Sequence, residues 1–117
     1  MVKMLDRTIE IGLLFDYYGK LLTDKQKKIV DLYYYQDLSL GEIAENLDIS
    51  RQGVYDHLHR AEDTLKSYEK ELNLVSRNKK NIKIVQELLE FVKDNDHIKE
   101  QARNFLIDKL KEMNKNI

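Results

Sequence analysis

The side chains best suited to chemistry lie in the segment "SRQGVYDHLHRA" (residues 50–61). Gln52 carries an amide that can pair bidentately with adenine, and Arg51 and Arg60 carry guanidinium groups that can hold phosphates. Tyr55 offers a ring for stacking or for a thymine methyl, and His59 points the same way on a helix. Asp56 opposes this pattern. A carboxylate near the floor of a DNA groove meets the phosphate field, and its one useful base partner is the amino group of cytosine. From Ser50 to Lys66, Arg51, Arg60 and Lys66 are balanced by Asp56, Glu62 and Asp63. The segment as a whole is neutral and lacks the charge that drives non-specific binding to phosphate.

Residue types and spacing argue against other chemistries. The chain has no cysteine, so it holds no disulfide, no thiolate metal site and no thiol nucleophile. His57 and His59 stand about 200° apart around a helix, which prevents them from sharing a metal, and His97 is isolated. There is no H-E-x-x-H, no glycine-rich phosphate loop and no nucleophile with a base at sensible spacing. Pairs such as Glu69/Glu71 and Glu42/Glu45 fall on charged helix faces and read as solvated surface. The chain is therefore expected to be no enzyme, with no cofactor, no metal and no small-molecule substrate.

The candidate residues need a platform, and the segment before them supplies one. Ser39 and Glu42 form a capping box that opens a short helix through Leu47. Ser50 caps the next helix. Ala44 is the small residue over which the second helix can pass closely, and Ile43, Leu47, Ile49 and Val54 are placed to lock the crossing. Asp48 stands in the turn, where a left-handed backbone costs it about 1 kcal/mol. These are the demands of a helix-turn-helix.

Flanking segments are also helical. Leu5, Ile9, Leu13 and Tyr17 suggest a first helix over 3–18, with Gly19 as its stop. Thr23 and Gln26 form a second capping box, opening a helix expected to run from Asp24 to about Tyr35 and to bury Ile29, Val30 and Leu32. In the fourth helix, Val54, Leu58, Ala61, Leu65 and Leu72 form one apolar seam reaching about Asn73. "SRNKKN" (residues 76–81) reads as a basic, polar break. Two amphipathic helices follow, one on Ile82, Val85, Leu89 and Val92, the other on Ile98, Phe105, Leu106, Leu110 and Met113. "KDNDH" (residues 93–97) turns between them, and "NKNI" should fray. No strand pattern is present, and the chain contains no proline. The fold class is all-α: a helix-turn-helix domain over 1–75 without a β wing, and a C-terminal two-helix arm over 76–117 that packs on the domain or on a second subunit.

Charge is unevenly distributed. The chain has a net charge of −1 and a pI near 6.3, which favours no strong attraction to nucleic acid. Six basic against nine acidic side chains leave residues 1–48 at −3; four against five leave residues 49–75 at −1; ten against seven leave residues 76–117 at +3. Arg77, Lys79, Lys80 and Lys83 are the leading candidates for contact with an RNA or DNA backbone, with Lys93, Lys99, Arg103, Lys109 and Lys111 further along. Glu87, Glu90, Asp94, Asp96 and Glu100 interleave with them, and a solvated helix face is the commoner explanation for such a pattern. The run "IGLLF" (residues 11–15), closed by Asp16, is too short for a membrane span or a signal-peptide core, so the chain is expected in the cytoplasm. Tyr33, Tyr34 and Tyr35 cover most of a helix circumference, so at least one is exposed or packed on a partner. With the long seam of helix four, that aromatic surplus predicts a homodimer.

"LTDKQKKIVDLYYYQDLSLGEIAENLDISRQGVYDHLHRAEDTL" (residues 22–65) resembles region four of bacterial sigma factors. The chain as a whole, through "LFDYYGKLLTDKQ" and "DLSLGEIAENLDISRQGVYDHLHRAE", resembles more closely the YlxM family of small helix-turn-helix proteins, encoded beside signal recognition particle genes. That resemblance implies a dimeric regulator or accessory of the signal recognition particle pathway. Two readings stand at this point. One is a regulator that binds duplex DNA through Arg51, Gln52, Tyr55, Asp56, His59 and Arg60. The other is an accessory that contacts the particle's protein or RNA through the basic arm.

Overall fold

The computed structural model describes residues 2–116, and for residues 2–5 the backbone alone. Six α-helices account for most of it: α1 (Val2–Tyr18), α2 (Asp24–Val30), α3 (Leu40–Leu47), α4 (Arg51–Leu72), α5 (Leu74–Asp94) and α6 (Glu100–Lys115). There is no strand among the described residues. The fold is all-α, and the chain divides into two compact units, Met1–Val75 and Ser76–Ile117.

In the first unit, α4 is the central rod, packed by α1, α2 and α3. Its seam follows from spacing. Val54, Leu58, Ala61 and Leu65 advance by four, three and four residues, which keeps them on one line of a helix turning about 100° per residue. All four are buried. The expected stripe of α1 advanced by four each time and so drifted about 40° per step. The structure buries Ile11, Leu14 and Tyr18 instead, leaving Ile9 55% exposed and Tyr17 exposed. Leu5 lies outside the described side chains. Leu72, also expected in the seam of α4, is 46% exposed because the last turn of the helix runs past the buried cluster, whose last α4 member is Leu65.

Gly19 does follow the end of α1, but not as a left-handed stop. It opens a 3₁₀ turn (Gly19–Leu21), and a Cβ there would lie 3.1 Å from the Phe15 ring. A side chain there would need the Phe15 ring to give by a few tenths of an ångström, so space rather than backbone freedom is what favours glycine. The second helix also departs from expectation: α2 ends at Val30, and Asp31–Tyr35 form a π turn, closed by the Gln36 N–H donating to the Asp31 carbonyl at 3.0 Å. The wider turn spreads the tyrosines. Tyr33 and Tyr34 are half-buried and meet edge to face at 4.9 Å, while Tyr35 is exposed beside Phe15.

The basic stretch 76–81 is no break. It lies inside α5, since Lys and Arg are good helix formers and neither glycine nor proline interrupts them. The chain turns three residues earlier, at Asn73, which adopts the left-handed conformation (φ 55°) that asparagine tolerates. Three side-chain bonds fix this corner. The Tyr18 hydroxyl donates to Glu69 Oε1 (2.6 Å) and accepts from the Leu74 N–H (3.1 Å), while the Val75 N–H donates to Glu69 Oε1 (3.0 Å). The first N–H groups of α5, which no helical carbonyl can satisfy, therefore find partners.

In the second unit, the Asn95–Lys99 turn joins α5 to α6. Arg103 closes it, donating to the Asn95 carbonyl at 2.5 Å and to the Ile98 carbonyl at 3.3 Å. Arg103 is thereby taken out of the expected basic surface. Val85 and Val92 are buried, but α6 has no buried residue. Phe105, Leu106 and Met113, read from sequence as its apolar stripe, are exposed. An open apolar groove runs along this unit, lined by Leu88, Phe91, Ile98, Leu106, Leu110 and Met113 among others. The helix runs through Lys115, into the segment expected to fray.

Candidate nucleic-acid interface

The site is built on two capped helix starts and one strained turn. Ser39 Oγ accepts from the Glu42 N–H, and Glu42 Oε1 accepts from the Ser39 N–H, both at 3.1 Å. Ser50 Oγ accepts from the Gly53 N–H at 2.9 Å. Each such cap contributes about 1 kcal/mol and fixes where its helix begins. Between them Asp48 takes φ 55° and ψ 46°, and the Ile49 N–H donates to the Ala44 carbonyl at 3.1 Å. Ile43 and Val54 are buried on either side of the crossing, with Ala44, Leu47 and Ile49 packed against the same core.

On this platform α4 has two distinct sides. Val54, Leu58, Ala61 and Leu65 face the core, while Arg51, Gln52, Tyr55, Asp56, His59 and Arg60 are all exposed. Three pairs or groups form among the exposed side chains. Gln52 Nε2 donates to Asp56 Oδ1 at 3.1 Å. The Tyr55 and His59 rings stack nearly parallel, 5.8 Å apart, and His59 Nε2 lies 3.7 Å from Asp63 Oδ2. Arg51, Gln52 and Tyr55 share a shallow recess with Leu40 of α3.

Glu62 is not on that surface. Sequence reasoning placed its charge with Asp56 and Asp63 on the outer face, but the residue is 1% exposed. Its carboxylate receives hydrogen bonds from the Arg7 guanidinium of α1 and the Tyr34 hydroxyl of the π turn. Burial, followed by the bond to Glu62, pushes the Tyr34 hydroxyl well above the ordinary tyrosine range, and Arg7 is raised by its own bond to Glu62. The signal was available in the sequence. Position 62 falls four after Leu58 and three before Leu65, inside the apolar stripe. With Glu62 withdrawn, the outward charges from Ser50 to Lys66 become Arg51, Arg60 and Lys66 against Asp56 and Asp63, an excess of one positive charge.

The other candidate surface is on α5. Arg77, Lys79, Lys80 and Lys83 are exposed, and because they lie on continuous helix they fall within about 160° of its circumference. Had residues 76–81 been irregular, nothing would hold the four to one side.

Against known families, residues 5–114 match the UPF0122 family, described as "Putative helix-turn-helix protein, YlxM / p13 like". The chain belongs to this family. UPF0122 protein BH2485 of Halalkalibacterium halodurans is 51% identical over 89 residues, covering 76% of this chain and 82% of the relative. UPF0122 protein TTE1463 of Caldanaerobacter subterraneus is 52% identical over 89 residues, 76% of each chain. A Bacillus cereus member, BCAH187_A3894, is 41% identical over 109 residues, 92% of this chain and 99% of its own. The UPF0122 match extends from α1 well into α6, so the helix-turn-helix and the arm belong to one family pattern. Among the described residues, no helix is long and apolar enough to cross a membrane.

Proposed function

We propose that this UPF0122 chain is a cytoplasmic, non-catalytic helix-turn-helix regulator that binds duplex DNA through the outer side of α4. Gln52 and Tyr55 meet base edges there, and Arg51 and Arg60 meet phosphates. The observation that supports this most is the withdrawal of Glu62 into the core. It turns a neutral segment into an outward face with a small positive excess, on a helix anchored by its other side. The resemblance to YlxM proteins supports a role for this regulator in the signal recognition particle pathway.

A second reading is favoured by the gathering of Arg77, Lys79, Lys80 and Lys83 on one side of α5. In it the chain is an accessory that holds the particle's RNA or protein through the arm. A homodimer accompanies either reading, supported by the apolar groove of the second unit.

One titration series separates the two. The full chain is titrated against promoter duplex, particle RNA and particle protein at several salt concentrations. Duplex binding through Arg51 and Arg60 gives a log–log salt slope of about −2 per protomer. A slope near zero with duplex, or retention of RNA alone that is lost on changing Arg77, Lys79, Lys80 and Lys83 to Gln, favours the second reading.

A further inference from the structure

We infer that Asp56 is a positioning residue that makes Gln52 a reader of exocyclic amino groups, so that the α4 interface selects adenine or cytosine on the strand it contacts. The inference rests on the duplex-binding reading above. A free glutamine side chain is ambiguous, because its amide presents either a carbonyl acceptor or an NH₂ donor to a base depending on how it is turned. Here the amide is held. Nε2 donates to Asp56 Oδ1 at 3.1 Å, and an ionised carboxylate can only accept, so the polarity of the bond is fixed with nitrogen towards Asp56. With its nitrogen committed to Asp56, the amide is left with Oε1 as its acceptor for a base.

Both residues are exposed and lie in the first two turns of α4, the part of the second helix that a helix-turn-helix presents to base edges. In the major groove each base pair carries one exocyclic amino group, on adenine N6 or cytosine N4, while guanine O6 and thymine O4 are acceptors. The held Oε1 is matched by the amino groups of the first two bases and repelled by the carbonyl oxygens of the last two. The second N–H of Gln52 remains for adenine N7, so a bidentate contact with adenine survives the bond to Asp56. Arg51, which shares the recess with Gln52, brings a positive charge to the same end of the helix. Asp56, the residue that argued against DNA in the sequence, thus acquires a function in selecting it.

The test selects duplexes from a randomised pool with the full chain at low salt, then competes the winners against probes in which purine, lacking the N6 amino group, replaces adenine. The expected result is adenine or cytosine at one or two adjacent positions of one strand, and about tenfold weaker binding on purine replacement. Asp56→Ala, an exposed change, should let guanine and thymine appear at the same positions among the duplexes that the variant retains. Retained duplexes with no such preference, or a preference that Asp56→Ala leaves unchanged, would overturn the inference and leave the duplex reading standing. Failure to retain any duplex would sink both together.

Discussion

The Tyr18 hydroxyl donates to Glu69 across 2.6 Å, and this one pair receives the first two N–H groups of α5. Tyr18 is buried and its ring stacks on Tyr68 at 5.9 Å, so the hydroxyl is held by packing as well as by its partners. Tyr18→Phe keeps the ring and strands the Leu74 N–H. The expected cost is about 1–2 kcal/mol of global stability. Amide exchange should localise the effect, with Leu74 and Val75 losing more protection than the amides of α3.

The buried Glu62 carboxylate makes a second testable pair with Arg7. Arg7→Ala leaves Glu62 inside with the Tyr34 hydroxyl as its remaining partner among the described residues. The loss should be on the order of 2–3 kcal/mol, below the range for a fully buried pair because half of the Arg7 side chain is in water. The double variant Arg7→Met with Glu62→Leu should regain most of this, since no charge is then left to satisfy. Chemical denaturation of both variants distinguishes charge compensation from packing. If the double variant is as unstable as the single one, packing dominates.

Alkaline pH should weaken the fold. Burial, with a carboxylate next to each hydroxyl, raises Tyr18 and Tyr34 above the ordinary tyrosine value of 10.0. Above that pH an unfolded chain releases these protons while the folded chain keeps them, so stability must fall as pH rises. Below it both states are protonated and the contribution is fully present. Tyr34→Phe should therefore flatten the decline between about pH 10 and 12, measured by the denaturation midpoint at each pH.

Much of the fold was legible because local signals agreed. Both capping boxes, the Asp48 turn and the 4-3-4 seam of α4 are written in short stretches of sequence, and the structure carries each of them. What stayed hidden depended on side-chain placement and on the width of a turn. Gly19 is crowded by the Phe15 ring, and the π turn at Asp31–Tyr35 carries no local mark that distinguishes it from α-helix. Polarity misleads at 76–81, where a basic, polar run reads as a break although its backbone propensity is helical. For the candidate interface, the outward positions of Arg51, Gln52, Tyr55, Asp56, His59 and Arg60 followed from periodicity. The bond between Gln52 and Asp56 required side-chain positions that no periodicity supplies.

The groove of the second unit carries the prediction for assembly. Phe91, Phe105 and Met113 are more than half exposed, and a 16-residue helix with no buried residue gains little from its own unit. Burying a Phe or Met side chain stabilises by about 1.5–3 kcal/mol, so a few of them packed against a second copy would offset the cost of association. In the homodimer reading, sedimentation at micromolar concentration gives twice the mass of 14.0 kDa. Phe91→Asp with Met113→Asp should then return a monomer, and because both side chains are exposed the helical signal should be kept. A wild-type chain that sediments only as a monomer at that concentration removes the homodimer.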